Sequence, residues 1–281
     1  MPIVNKKVED STEFAESQDR TRLLAFLVDG DNAMASLIEP MLEEVSKYGT
    51  SIIRRVYGDW TLPTMQAWRS VLQEHALSPA QQFSNVSGKN ATDSALIIEA
   101  MDMLHKGTVD GYCIVSSDSD YTSLAKRIRE EGLFVMGIGR AATPAAFRNA
   151  CRVFVATENL VSGEIAQGSD VTGTAKRESG RSDSRKPDEL SRVETAAAGG
   201  NKLPPSKAIR LLMKAFDATV NEEGRAPLAS MGLALRRLDP AFDTRTYGKS
   251  KLMSLLEALN DEFTLERPKG SADSRIFVRL K

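Results

Sequence analysis

From Leu23 to Leu160 the chain alternates short apolar runs with helix-length amphipathic stretches, and few folds accept that rhythm. The runs Leu23–Val28, Ser51–Tyr57, Tyr112–Ser116, Phe134–Ile138 and Val153–Val155, with a weaker one at Gln81–Phe83, read as strands. Between them, Ala33–Lys47, Pro63–His75, Thr92–His105, Tyr121–Glu131 and Thr143–Ala150 place apolar residues at helical spacing. Strictly alternating units of this kind predict an α/β fold: a mostly parallel, Rossmann-like sheet with helices on both faces. Ligands in that architecture sit beyond the carboxyl ends of the strands, so that rim is where chemistry is sought.

The rest of the 281 residues divides by composition. Residues 1–20 are polar and charged with no apolar segment, which predicts a flexible tail rather than a signal peptide, and a cytoplasmic protein. No apolar run approaches the length of a membrane span. Residues 21–162 form the α/β domain. Residues 163–201 are rich in Ser, Gly, Thr, Ala and alternating charge, and read as a disordered linker that leaves the flanking domains free in orientation. In residues 202–281, Pro204–Val220, Leu228–Leu238 and Gly248–Leu259 predict three helices; Phe263–Arg267 and Arg275–Leu280 predict a hairpin, together a small winged helix. Leu233, Leu235, Leu238, Leu252, Leu255 and Leu256 are its expected core.

Charge follows the same boundaries. The overall net charge is −1, yet residues 202–281 hold 15 basic and 10 acidic side chains, a net +5. A basic module beside a mildly acidic one suits a polyanionic partner. Cys113 and Cys151 both lie in apolar stretches and read as reduced, buried thiols.

Acids gather where the fold would put a site. The first strand runs into Asp29-Gly30-Asp31-Asn32, and another into Ser116-Ser117-Asp118-Ser119-Asp120; Asp93 opens the helix after Ser87-Gly88-Lys89-Asn90-Ala91-Thr92. Carboxylates held close repel, and a divalent cation resolves the repulsion. Mg²⁺ and Mn²⁺ prefer carboxylate and water oxygens and keep positions open for a phosphate and a nucleophile, the requirements of phosphodiester hydrolysis. Helix capping by Asp31, Thr92 and Asp120 is the plainer role, but it leaves Asp29 and Asp118 unaccounted for. Asn32 is placed to orient Asp29 or to cap the next helix.

Other constellations carry less. Asp29-x-Asp31 also fits a phosphatase with an aspartyl nucleophile, although Ala33 stands where that class has Thr or Val. Gly137-Ile138-Gly139-Arg140-Ala141-Ala142 has the outline of a dinucleotide fingerprint but sits on the last unit. The only histidines, His75 and His105, have no nucleophile beside them.

Leu-Val-Asp29-Gly-Asp-Asn32, Lys89-Asn-Ala-Thr-Asp93 and Val-Ser116-Ser-Asp118-Ser-Asp120-Tyr121 resemble the signatures of NYN domains, members of the PIN-like ribonuclease superfamily. The resemblance spans about Leu23 to Leu160. It implies metal-binding, catalytic acids at Asp29, Asp93, Asp118 and Asp120, with Asn32 and Ser116 in support. Ser117 departs from the family's frequent Gly.

Leu228 to Phe242, Tyr247-Gly248-x-x-Lys251-Leu252 and Ile276 to Leu280 resemble the LOTUS, or OST-HTH, domain, a pairing with NYN that recurs in bacteria. That resemblance implies RNA binding, guanine-rich or structured RNA in some members and protein partners in others. Arg236, Arg237, Lys249, Lys251, Arg267 and Lys269 offer a phosphate track, and Lys89 a contact near the acids. The expected function is a Mg²⁺- or Mn²⁺-dependent endoribonuclease. A non-catalytic RNA-binding adaptor and, further off, the phosphatase stand as alternatives, and the oligomeric state is not encoded in any visible pattern.

Overall fold

The structure, a computed structural model, describes residues 21–83, 91–164, 202–267 and 275–281. The predicted tail and nearly all of the predicted linker lie outside the described residues, as do Lys89 and Lys269.

Six parallel strands make the main sheet among the described residues: β1 (Leu23–Asp29), β2 (Thr50–Gly58), β3 (Ser78–Gln81), β4 (Gly111–Val115), β5 (Phe134–Gly139) and β6 (Val153–Ala156), in the order β3-β2-β1-β4-β5-β6. The helices between them are α1 (Ile38–Ser46), α2 (Trp68–Glu74), α3 (Ala91–Lys106), α4 (Thr122–Glu130) and α5 (Ala145–Ala150), followed by α6 (Thr157–Glu164). The weak strand falls at Ser78–Gln81, upstream of Gln81–Phe83, because its backbone is captured by the end of β2. The first turns of α1, α2 and α4 are short 3₁₀ segments.

Strand alternation explains the two cores. Leu24, Phe26 and Val28 of β1 pack on one face with Ile38, Met41 and Trp68; Ala25 and Leu27 pack on the other with Leu96, Tyr121 and Ile128. Cys113 and Cys151 are free and buried. The chain leaves β1 outward through β2 and β3, then crosses back to lay β4 on the opposite side of β1. The switch point is therefore between the carboxyl ends of β1 and β4.

The C-terminal domain contains α7 (Ile209–Asp217), α8 (Leu228–Leu238) and α9 (Leu252–Glu257), with a small antiparallel sheet of β7 (Ala226–Pro227), β8 (Phe263–Glu266) and β9 (Phe277–Leu280). Leu235, Leu255 and Leu256 are buried in its core. Leu233 and Leu238, expected there, are 60% and 47% exposed. Leu233 stands two residues from Leu235 and so on the opposite side of α8, and Leu238 ends the helix.

This domain packs against the first. The Phe154 N–H donates to the Pro240 carbonyl at 2.9 Å, so the outer edge of β6 is covered. Arg245 reaches Glu44 at 2.9 Å, and Asn159 Nδ2 donates to Thr246 Oγ1 at 3.0 Å. No helix among the described residues is long and apolar enough to cross a membrane.

Candidate metal centre

Asp29 ends β1, and β1 is buried on both faces, so its carboxylate enters the site from inside the protein; the residue is 0% exposed. Its Oδ2 accepts from Asn32 Nδ2 at 2.7 Å and from Ser116 Oγ at 2.9 Å, and its Oδ1 from the Asp31 N–H at 3.2 Å. Burial pushes the Asp29 carboxyl above its usual range. The bonds from Asn32 and Ser116 pull it back, while the charges of Asp93 and Asp31 push it further up. Next to it the backbone is tightly packed: a Cβ on Gly30 would stand 2.7 Å from the Tyr57 carbonyl oxygen.

After Val115 the Ser116 N–H makes one more bond, to the Ile138 carbonyl at 3.0 Å, and the chain then turns away from the sheet. Ser116 Oγ accepts from the Asp118 N–H at 3.1 Å while donating to Asp29, so one hydroxyl ties the two strand ends together. Asp118 lies in the loop rather than on the strand. It caps the 3₁₀ turn Ser119–Tyr121, its Oδ1 accepting from the Asp120 N–H at 2.9 Å, so capping accounts for part of its role, against expectation.

Asp93 sits in the first turn of α3 and is 9% exposed. The Tyr121 hydroxyl donates to its Oδ1 at 2.5 Å. Burial, followed by the Asp29 charge and the bond to Asp93, raises the Tyr121 phenol so far that it remains a donor at any physiological pH. Burial also raises the Asp93 carboxyl; the Tyr121 bond opposes this, and Asp118, Asp120 and Asp31 reinforce it. Thr92 Oγ1 donates to Asp31 Oδ2 at 2.8 Å, fastening α3 to the loop after β1.

Carboxylate oxygens of Asp93, Asp118 and Asp120 all lie within 4.8 Å of one another. Asp29 stands outside that set. These are hard, anionic oxygen donors suited to Mg²⁺ or Mn²⁺. Bonds of about 2.1 Å from one ion reach oxygens spaced this way after small side-chain rotations. The sequence offered Tyr121 only as part of a motif, with no role, since a phenol 28 residues along the chain from Asp93 leaves no local signal of the pairing. Asp31 likewise pairs with Thr92 instead of capping a helix.

The basic residues expected on the C-terminal domain differ in their relation to the N-terminal domain. Arg236 and Lys251 are exposed and line a cleft facing the N-terminal domain, whereas Arg237, Lys249 and Arg267 are not part of that lining.

Two domain models match the chain. The NYN domain model matches residues 24–158, and the OST-HTH/LOTUS domain model matches residues 201–274. No curated protein matches the chain. A protein of unknown function from Vibrio parahaemolyticus is similar at 17% identity, covering 50% of this chain and 94% of that chain with a TM-score of 0.42. An uncharacterized protein from Nitrosomonas europaea is 27% identical over 35% of this chain and 91% of that chain, with a TM-score of 0.25. The chain carries an NYN domain of PIN-like nuclease fold followed by an OST-HTH/LOTUS domain.

Proposed function

We propose that the protein is a metal-dependent endoribonuclease that hydrolyses RNA at the Asp93, Asp118 and Asp120 cluster, with the OST-HTH domain retaining the RNA. One observation carries this reading: three acids from two distant segments converge at the sheet's switch point, close enough to repel. The NYN match supports this reading, since nucleases of that fold typically depend on divalent metal, and the OST-HTH match supports RNA as the polymer.

Mg²⁺ or Mn²⁺ would be held by Asp93, Asp118 and Asp120. Bound there, it supplies positive charge that polarises a phosphate and favours ionised water as nucleophile. The chain's own residues do the positioning. Tyr121, locked as a donor, fixes the Asp93 carboxylate; Asp29 holds the 116–120 loop through Ser116 and the rim loop through Asn32. Asp29 is in this reading an anchor and a source of field beside the three ligands, rather than a fourth ligand.

The test is cleavage of labelled single-stranded and structured RNA in Mg²⁺, Mn²⁺ or EDTA, with wild type and Asp118→Asn purified in parallel. Metal-dependent cleavage absent from the variant is the expected result. Tight RNA binding without cleavage in every metal would instead assign the chain to the adaptor class.

A further inference from the structure

Between the two domains lies a cleft of about 440 Å³, at the end of the sheet away from the acids. Helix α1 runs back from the site rim, so Lys47 and Tyr48 after its last turn reach the amino ends of the strands, where Thr50 begins β2. Lining the same cleft are Arg236 at the end of α8 and Lys251 before α9. We propose that this cleft is a second RNA site built by both domains, holding one nucleotide of a single strand with its phosphate on Arg236 and Lys251 and its base against Tyr48. It rests on the RNA-binding reading of the OST-HTH domain and adds that the NYN domain supplies half the site.

Charge supports an anion. The cleft's acids, Glu44 and Asp243, are both turned onto Arg245, at 2.9 and 2.6 Å. Lys47 shares Glu44 and remains 59% exposed along its side chain. Among the described residues, Arg236 and Lys251 form no ion pair, so the cleft keeps an excess of positive charge with its acids already neutralised.

Shape supports a base. The Tyr48 ring stacks on Phe134 at 5.5 Å, and the Arg236 guanidinium lies 6.0 Å from its centroid. Phe242 of the C-terminal domain adds a second ring to the lining. Aromatic rings and arginine planes are the surfaces on which unpaired bases stack, and phosphates follow the adjacent cations. The volume is in the range of small-ligand sites, roughly 300–1,000 Å³, enough for one nucleotide but not for a duplex.

The cleft and the acids are separated by the length of the strands. Six residues of β5 rise roughly 20 Å. A strand anchored in the cleft therefore reaches the acids only after several further nucleotides, so substrates too short to span both sites gain nothing from it.

Binding is measured by fluorescence anisotropy of a labelled single-stranded oligoribonucleotide on the full chain carrying Asp118→Asn, without metal, so that turnover plays no part. Tyr48→Leu is expected to weaken binding by at least about fivefold. Lys47→Gln, which removes a cation from the NYN side of the same cleft, is expected to weaken binding as well and keeps the test decisive should Tyr48→Leu fail to fold. Arg236→Gln with Lys251→Gln is expected to flatten the salt slope by about 0.7 for each phosphate no longer neutralised. Parental affinity in the Lys47 and Tyr48 variants would overturn the shared site while leaving RNA binding by the OST-HTH domain in place. No binding by the parent would overturn both. Displacement of the oligonucleotide by a nucleoside monophosphate at equal concentration would overturn the strand assignment.

Discussion

The Ser116 hydroxyl donates to Asp29 Oδ2 at 2.9 Å across 87 residues of sequence, and Ser116 Oγ itself accepts the Asp118 N–H. A single side chain thus joins the ends of β1 and β4 at the switch point and sets the direction of the loop that carries Asp118 and Asp120.

Ser116→Ala is expected to lower cleavage by about 10- to 100-fold, the range for residues that orient ligands from outside. It should also move the acid limb of the pH–rate profile upward, because Ser116 and Asn32 hold the Asp29 carboxyl down against burial. Asn32→Ala should shift it the same way. A pH profile on both variants checks this, and an unshifted limb would remove Asp29 from the reaction.

Asp118→Asn or Asp29→Asn is expected to abolish metal-dependent cleavage with folding intact. Circular dichroism together with the RNA cleavage assay checks both halves of that statement; wild-type rates in either variant would sink the reading.

Without metal, burial and neighbouring charge raise the folded-state carboxyls of Asp29 and Asp93 above their unfolded values. Between the unfolded and folded values the native state binds more protons, so stability falls as pH rises through that window. The EDTA-treated protein should therefore melt higher in mild acid than at neutral pH from these groups. Asp93→Asn should recover part of that difference at neutral pH, with each kcal/mol worth about 2–4 °C. Added Mn²⁺ should raise the wild type and not the variant.

Arg245 joins Asp243 to Glu44, which is 5% exposed. Arg245→Ala leaves that buried carboxylate with Lys47 alone, and the docked arrangement is expected to lose about 1–3 kcal/mol. Small-angle scattering should show a larger radius of gyration, and RNA affinity should change with it if the cleft is a binding site.

Deleting residues 202–281 should weaken RNA binding and flatten its salt dependence. It also uncovers the Phe154 N–H on the edge of β6, so the isolated NYN domain should self-associate more than the full chain, as light scattering would show.

Local pattern alone specified a great deal here. The apolar runs from Leu23 to Val155 and the helical spacing between them require a parallel sheet with covered faces, because each period exposes its apolar side to only one kind of neighbour. They also put Asp29, Asp93 and the Ser116–Asp120 segment on one rim. What the sequence left open depends on atoms far apart along the chain. Tertiary structure drew Asp93, Asp118 and Asp120 into one set, and gave the Asp29 carboxylate hydrogen bonds from Asn32 and Ser116. It gave Tyr121 a role by burying its hydroxyl against Asp93, and turned Leu233 outward through the rotation of α8. The packing of the two domains, expected to be unconstrained, was settled by a sheet edge that needed covering and by a buried Glu44 that needed Arg245, two demands that no local stretch of sequence expresses.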